Sequence, residues 1–415
     1  MVFGGQRLPS PTGVCRIDAT PLIVRAVSEP NRRTDAEPDA TRPRTSTRDP
    51  EELRRALRSW LRARTDAEHV EISDVRVPQS NGMSSETLLF DARWHGAEGE
   101  QSHRCVARLA PAADAMPIFP EYRMRDQFTI MALVGERTAV PVPRTLWYEP
   151  DPAILGAEFF VMARVEGEVP PDILPYTFGD NWLFQASPAD RLRLQESTVA
   201  ALARIHALPA TAEEVSFLGD LSADGDTALR AHVDGWRTYN TWAHGEHPIP
   251  ILEKMFSWLD DHWPAAVDTP VLSWGDARIG NIMYQDFTPA AVLDWEMAGI
   301  APREVDLGWL VFLHRFFQDI AEFFGLPGLP GFLSFADVAA QYTALTGYRP
   351  RDLEFYEAYA ALRQGIVMGR VNQRRVRFGE QEAPANPDEL VNHAATLERM
   401  LDGSYWLTAP SPSHP

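Results

Sequence analysis

Lysine is almost missing from this chain. Of 39 basic residues only Lys254 is lysine and the other 38 are arginine, so any cation that a fold ordinarily draws from lysine elsewhere must here be arginine. Cysteine is equally scarce. Cys15 and Cys105 supply neither a disulfide framework nor a zinc site. No run approaches the ~18 apolar residues of a membrane span. Gly4, Gln6, Arg7 and several prolines break up the N-terminus, which lacks a signal-peptide layout. Positive charge is in deficit too. A net charge of −19 argues against non-specific nucleic-acid binding and weakly favours a cationic ligand, with an acidic solvated surface as the plainer cause. The expectation is a cytoplasmic protein with neither a nucleic-acid nor a membrane partner. Nothing in the sequence speaks to its oligomeric state.

What is present is ordinary globular material: 45% hydrophobic and 23% charged residues over 415 positions, enough for two or three domains. Residues 1–47, rich in Pro, Arg, Ser, Thr and Asp without a sustained period, read as a disordered leader. Residues 409–415 read as a tail. Asp49-Pro50-Glu51-Glu52 is a helix start: a capping Asp, Pro at the first helical position, then acids in the first turn. Strand-like segments follow at 71–77, 86–94 and 103–110, then a helix at 120–136, with segments 140–148 and 158–167 after it. From 187 onward the pattern is mainly helical, with Ser187-Pro188 opening one helix and Gly347 closing another. The aromatic loop 168–184 reads either as a lid beside a cleft or as a segment packed on its neighbours. In the last long helix, Arg363, Arg370, Arg374 and Arg377 form one stripe, expected to make surface salt bridges or else an anion site.

Chemistry concentrates in residues 271–297. Two apolar runs, at 271–272 and 291–293, flank a polar turn and read as a hairpin-like pair. Asp276 and Asn281 lie on the turn, and Asp294 ends the second run. Asn281 and Asp294 offer the hard oxygen donors that Mg²⁺ takes alongside substrate phosphates. Asp276 suits a different task, accepting a proton from an attacking hydroxyl.

Gly275-Asp276-x4-Asn281, then Val292-Leu293-Asp294-Trp295-Glu296, then Glu304-Val305-Asp306-Leu307-Gly308, resembles the aminoglycoside phosphotransferase family of the protein-kinase-like fold. The resemblance is nearest to its acyl-CoA-dehydrogenase-associated branch. It covers roughly residues 50–400. It implies an α+β fold of two lobes: a five-stranded N-lobe over 48–163 that binds nucleotide, and a mainly helical C-lobe over 164–408. It implies transfer of a phosphoryl group from ATP (or GTP), with Mg²⁺, to a hydroxyl of a small molecule that is aminoglycoside-like or hydroxyacyl-CoA-like. Asp276 would be the base, and Asn281 and Asp294 the metal ligands. Arg108 would stand in for the phosphate-binding lysine, as in the Val-x-Arg strand of that branch, with Gln127 as its helix partner. Asn81, Gly82 and Ser84 would line the loop over the phosphates. Phe160 and Met162, at the hinge, would cover the adenine. Asp306 would brace the catalytic loop, His206 would be a packing residue, and Trp274 replaces the family's usual His. The other class left open is a catalytically inactive nucleotide-binding regulator of the same fold.

Overall fold

The computed structural model describes residues 48–77, 85–96, 99–111, 116–172 and 175–407. The expected leader and tail, and Asn81, Gly82 and Ser84, lie outside the described residues. Helix α1 (Pro50–Thr65) starts at its capping residue, where the Asp49 carboxylate accepts from the Glu51 amide at 2.8 Å. Strands β1 (Val70–Ile72), β2 (Glu86–Gly96), β3 (Gly99–Leu109), β4 (Thr145–Glu149) and β5 (Phe159–Ala163) form one antiparallel sheet of order β1-β2-β3-β5-β4. Helix α2 (Met124–Arg137) is inserted between β3 and β4. The first strand is shorter than its sequence pattern suggests, and Arg76 rejoins β2 only as an isolated bridge to Leu89.

The two-residue period of a strand decides what each sheet face does. On β3, Cys105, Ala107 and Leu109 turn to one face and pack under Leu53, Leu57, Trp60 and Leu61 of α1. Val106 joins the opposite cluster with Phe160, Met162 and the α2 residues Ile130, Met131 and Val134. Arg108, one step beyond Ala107, shares that second face and is directed toward the helical part of the chain.

The helical part comprises α3 (Pro188–His206), α4 (Gly225–His244), α5 (Pro250–Asp261), α6 (Glu304–Phe323), α7 (Phe335–Thr346), α8 (Leu353–Arg377) and α9 (Ala394–Leu401). Ser187 caps α3, and Gly347 ends α7 in the left-handed region at φ 74°. Four short strands lie between α5 and α6: β6 (Val271–Ser273), β7 (Ile282–Gln285), β8 (Thr288–Val292) and β9 (Gly299–Ala301). Here the hairpin expectation needs correcting. The two apolar runs do not pair with each other: β6 pairs with β9, and β8 pairs with β7. The polar turn carries its own strand, so the loop between them is tighter than one hairpin would make it.

Two other expectations resolve. In the aromatic loop, Tyr176, Phe178 and Leu183 are buried, the Tyr176 hydroxyl meets His314 Nδ1 at 3.0 Å, and Thr177 Oγ1 donates to the Phe317 carbonyl. That part of the loop is packed on its neighbours. The arginine stripe is not a surface feature along its length, because Arg363 is fully buried and only Arg377 is exposed.

Helix α6 is apolar almost all round and runs through the centre of the helical part. Its backbone comes close to α8 at Gly308, where a Cβ would lie 2.6 Å from the Tyr356 carbonyl oxygen. We therefore expect Gly308→Ala to force the two helices apart and to cost about 1–3 kcal/mol. A thermal midpoint equal to that of the parent protein would show that the approach is slack.

Candidate active site

Hydrogen bonds gather Arg108, Asp294, Asn281 and Asp276, with Leu293 as the link between Asp294 and Asn281. Arg108 Nη2 donates to Asp294 Oδ1 at 2.8 Å and Nη1 to Thr87 Oγ1 at 3.3 Å. The backbone of Leu293, next to Asp294, donates to the Asn281 carbonyl at 2.9 Å. Asn281 Nδ2 donates to the Asp276 carbonyl at 3.2 Å. Residues 186 positions apart in sequence thus meet where the sheet faces the helices.

Local backbone geometry sets this up. Asp294 is in the left-handed region at φ 58°, which turns its carboxylate out of the line of β8 toward β3. Gly275 has φ +87°, and a Cβ there would lie 1.9 Å from the Met297 carbonyl oxygen. Only glycine allows the chain to enter Asp276 at that angle.

The loop hangs on Asp306, in the first turn of α6. Its buried carboxylate accepts from Ser273 Oγ at 2.8 Å, Trp274 N at 2.8 Å and Gly275 N at 2.9 Å, and meets His206 Nε2 at 2.9 Å. Burial by itself would raise this carboxyl. The His206 contact and the Gly275 and Ser273 hydrogen bonds outweigh it and hold the group below the ordinary 3.8. His206 Nδ1 meets the Tyr342 hydroxyl at 2.8 Å, so the ring is spent on bracing. Trp274 Nε1 donates to the Leu293 carbonyl at 2.9 Å and ties the loop to the strand that carries Asp294.

Of three further expected residues, one falls differently. Gln127 does not bond Arg108. It is buried, and its amide nitrogen donates to the Tyr122 carbonyl at 2.6 Å, because the helix start at Arg123 turns it back on its own entry loop. Phe160 pairs in register with Arg108 and Met162 with Val106. Both are buried, with Phe160 edge-on to Phe128 of α2 at 6.3 Å.

Several site residues escaped the sequence reading. Trp309 Nε1 donates to Asp276 Oδ1 at 2.7 Å. Its signal was its place three residues after Asp306 on one helix, which puts both on one face. Arg278 Nε lies 3.3 Å from one Asp276 oxygen and 3.4 Å from the other, and its Nη1 pairs with Asp172 of the aromatic loop. Arg363 Nη2 donates to the Gly275 carbonyl at 2.8 Å. The apolar run around it, Ala360-Ala361-Leu362 and Gly365-Ile366, was a readable sign of burial.

The sheet, inserted helix and helical part together make the protein-kinase-like fold. The chain is similar over 86% of its length to a solved proposed aminoglycoside phosphotransferase from Ralstonia eutropha, 21% identical, with a TM-score of 0.58 and 99% of that chain covered. The profile of the Phosphotransferase enzyme family matches residues 90–351, and the chain belongs to that family. It is also similar to the probable acyl-CoA dehydrogenase IBR3 of Arabidopsis thaliana, 25% identical over 319 residues, 73% of this chain and 36% of that protein. Acyl-CoA dehydrogenase family member 11 of Gallus gallus is 31% identical over 233 residues, 55% of this chain and 27% of that protein. The matched regions therefore span about a third or less of these relatives. No helix among the described residues is long and apolar enough to cross a membrane.

Removing the buried hub should loosen the loop. Asp306→Asn is expected to lower unfolding free energy by about 3 kcal/mol at pH 7. A depressed carboxyl stabilises above its ordinary value, and that stabilisation is lost as pH falls through the depressed value. The gap between parent and variant should therefore narrow below about pH 4. Urea unfolding at pH 7 and in mild acid measures it, and a gap that does not change with pH would contradict the assignment.

Proposed function

We propose that this chain transfers the γ-phosphoryl group of ATP (or GTP) to a hydroxyl of a small molecule. The observation that carries this is the convergence of Arg108, Asp294, Asn281 and Asp276 in a kinase-like fold: Arg108 pairs with Asp294, the adjacent Leu293 backbone bonds Asn281, and Asn281 bonds the Asp276 carbonyl. Phosphoryl transfer depends mostly on positioning and charge neutralisation, and these residues supply both.

Asp276 orients the acceptor hydroxyl and takes its proton. Trp309 occupies one of its oxygens and fixes the plane of the carboxylate. Arg108 binds the phosphates; its pairing with Asp294 supports an arginine in the lysine role, although a planar guanidinium is bulkier than an ammonium. The donor set fits Mg²⁺: one carboxylate, Asp294, and one amide, Asn281, whose nitrogen is already engaged with the Asp276 carbonyl. When bound, the ion would neutralise phosphate charge. Phe160 and Met162 lend apolar surface on the Arg108 face of the sheet for the base.

Among acceptors, the relatives named acyl-CoA dehydrogenases favour a hydroxyacyl-CoA-like compound over an aminoglycoside. The regulatory reading rests on the absent lysine, and the Arg108–Asp294 pair weakens it.

In Asp276→Asn, Mg²⁺–ATP binding should be nearly unchanged while transfer to a true acceptor falls by about 10²-fold or more. Asp294→Ala should abolish the Mg²⁺-dependent part of nucleotide binding, and Arg108→Ala should weaken ATP binding more than Arg108→Lys. Nucleotide titration with and without Mg²⁺, followed by a panel of hydroxyacyl-CoA and aminoglycoside acceptors, checks all three. If parent and Asp276→Asn proteins hydrolyse ATP equally and no acceptor is phosphorylated, the regulatory reading replaces this one.

A further inference from the structure

Arg363 lies in the middle of α8, beyond the segment that matches the family profile, and is fully buried. Its one hydrogen bond among the described residues is Nη2 to the Gly275 carbonyl at 2.8 Å, and its Nε and Nη1 have no partner. Among the described residues no carboxylate forms an ion pair with it. Aromatic faces surround it instead: its guanidinium carbon is 4.4 Å from the centre of Trp309, 4.8 Å from Trp236 and 5.7 Å from Tyr359. Burial lowers its affinity for the proton, with Tyr359, Asp306 and Asp276 opposing. Beside it, burial and the same guanidinium push His232 down to about 3, so that imidazole stays neutral.

Burying a cation with one neutral hydrogen bond is costly, and an uncharged side chain of similar length would fill the space at lower cost. The contacts say what the charge does. Trp309 is the residue whose indole N–H holds Asp276 Oδ1 at 2.7 Å, and Arg363 lies over the face of that same indole. We propose that Arg363 and Trp309 are paired positioning residues for Asp276. The guanidinium grips the main chain just before Asp276, the indole grips its carboxylate, and the stacking of cation on indole joins the two grips. A cation over the ring also draws electron density from it and strengthens the N–H as a donor. Gly308, which lets α6 approach α8 next to Trp309, makes the stacking distance attainable.

This rests on the reading of Asp276 as the base, and the test separates the two. The full-length chain is studied as the parent, Arg363→Met, Arg363→Lys, Trp309→Phe and the Arg363→Met/Trp309→Phe double variant. ATP hydrolysis to water at saturating Mg²⁺–ATP is the probe reaction. Arg363→Met should bind Mg²⁺–ATP as the parent does yet hydrolyse it about tenfold more slowly, with Arg363→Lys recovering part of the rate. The double variant should lose no more than the worse single variant, because the residues act as one unit. The Trp309 indole N–H resonance, assigned by its loss in Trp309→Phe, should move upfield in Arg363→Met as its hydrogen bond weakens. Additive losses, or an unchanged rate with an unmoved resonance, overturn the proposal. If Arg363→Met does not fold, Arg363→Lys carries the test: a rate below the parent's together with an indole resonance moved upfield supports the pairing, and a rate and resonance identical to the parent's overturn it. If the parent hydrolyses no ATP, the indole resonance alone decides whether Arg363 governs the Trp309–Asp276 bond, and an unmoved resonance in Arg363→Met overturns the proposal.

Discussion

One buried carboxylate carries the loop on which the site depends. Asp306 accepts three hydrogen bonds from consecutive residues, Ser273, Trp274 and Gly275, and meets His206 from the far side. A charge removed from water this completely is tolerable only when every lone pair is satisfied, so the arrangement permits little variation. The backbone between β6 and the turn at Ile279–Asn281 is therefore held by the start of α6 rather than by strand pairing. The left-handed turn at Gly275 and the exit of Asp276 follow from that tether.

From the same helix, three residues on, Trp309 reaches the Asp276 side chain. Main chain and carboxylate are thus held by one rigid element, and α8 closes the arrangement from behind through Arg363. The opposite wall comes from the sheet. Arg108 crosses to Asp294 from β3, and the charge of each is matched by the other. In a chain of net charge −19, the arginines at the site are each committed: Arg108 to Asp294, Arg278 to Asp172 and Asp276, and Arg363 to a carbonyl and three aromatic rings. The scarcity of lysine shows in the chemistry. Guanidinium groups stack and fork where an ammonium would act as a point charge.

The family relationship and the local geometry bear on different questions. Membership in the Phosphotransferase enzyme family speaks to the reaction type, while the geometry around Asp276 is particular to this chain. The side chains behind the Asp276 loop are aromatic and cationic: Trp236 and Trp309 flank Arg363.

What the sequence determined by itself was local. Caps at Asp49 and Ser187, the glycine stop at Gly347, five strands with one inserted helix, and the spacing of Asp276, Asn281, Asp294 and Asp306 were all legible, because each depends on neighbours within a few residues. Strand partners were not. The apolar runs at 271–272 and 291–293 look alike in sequence, and only the packed structure assigns β9 to one and β7 to the other. Gln127 was misassigned for a related reason, since its distance along the chain says nothing of which carbonyl its amide will meet once Arg123 has turned the helix start. Arg363 is the clearest case. A four-arginine stripe reads as a solvated face by periodicity alone, and it took the convergence of α4, α6 and α8 to put its first member among three aromatic rings, one hydrogen bond from the loop that carries Asp276.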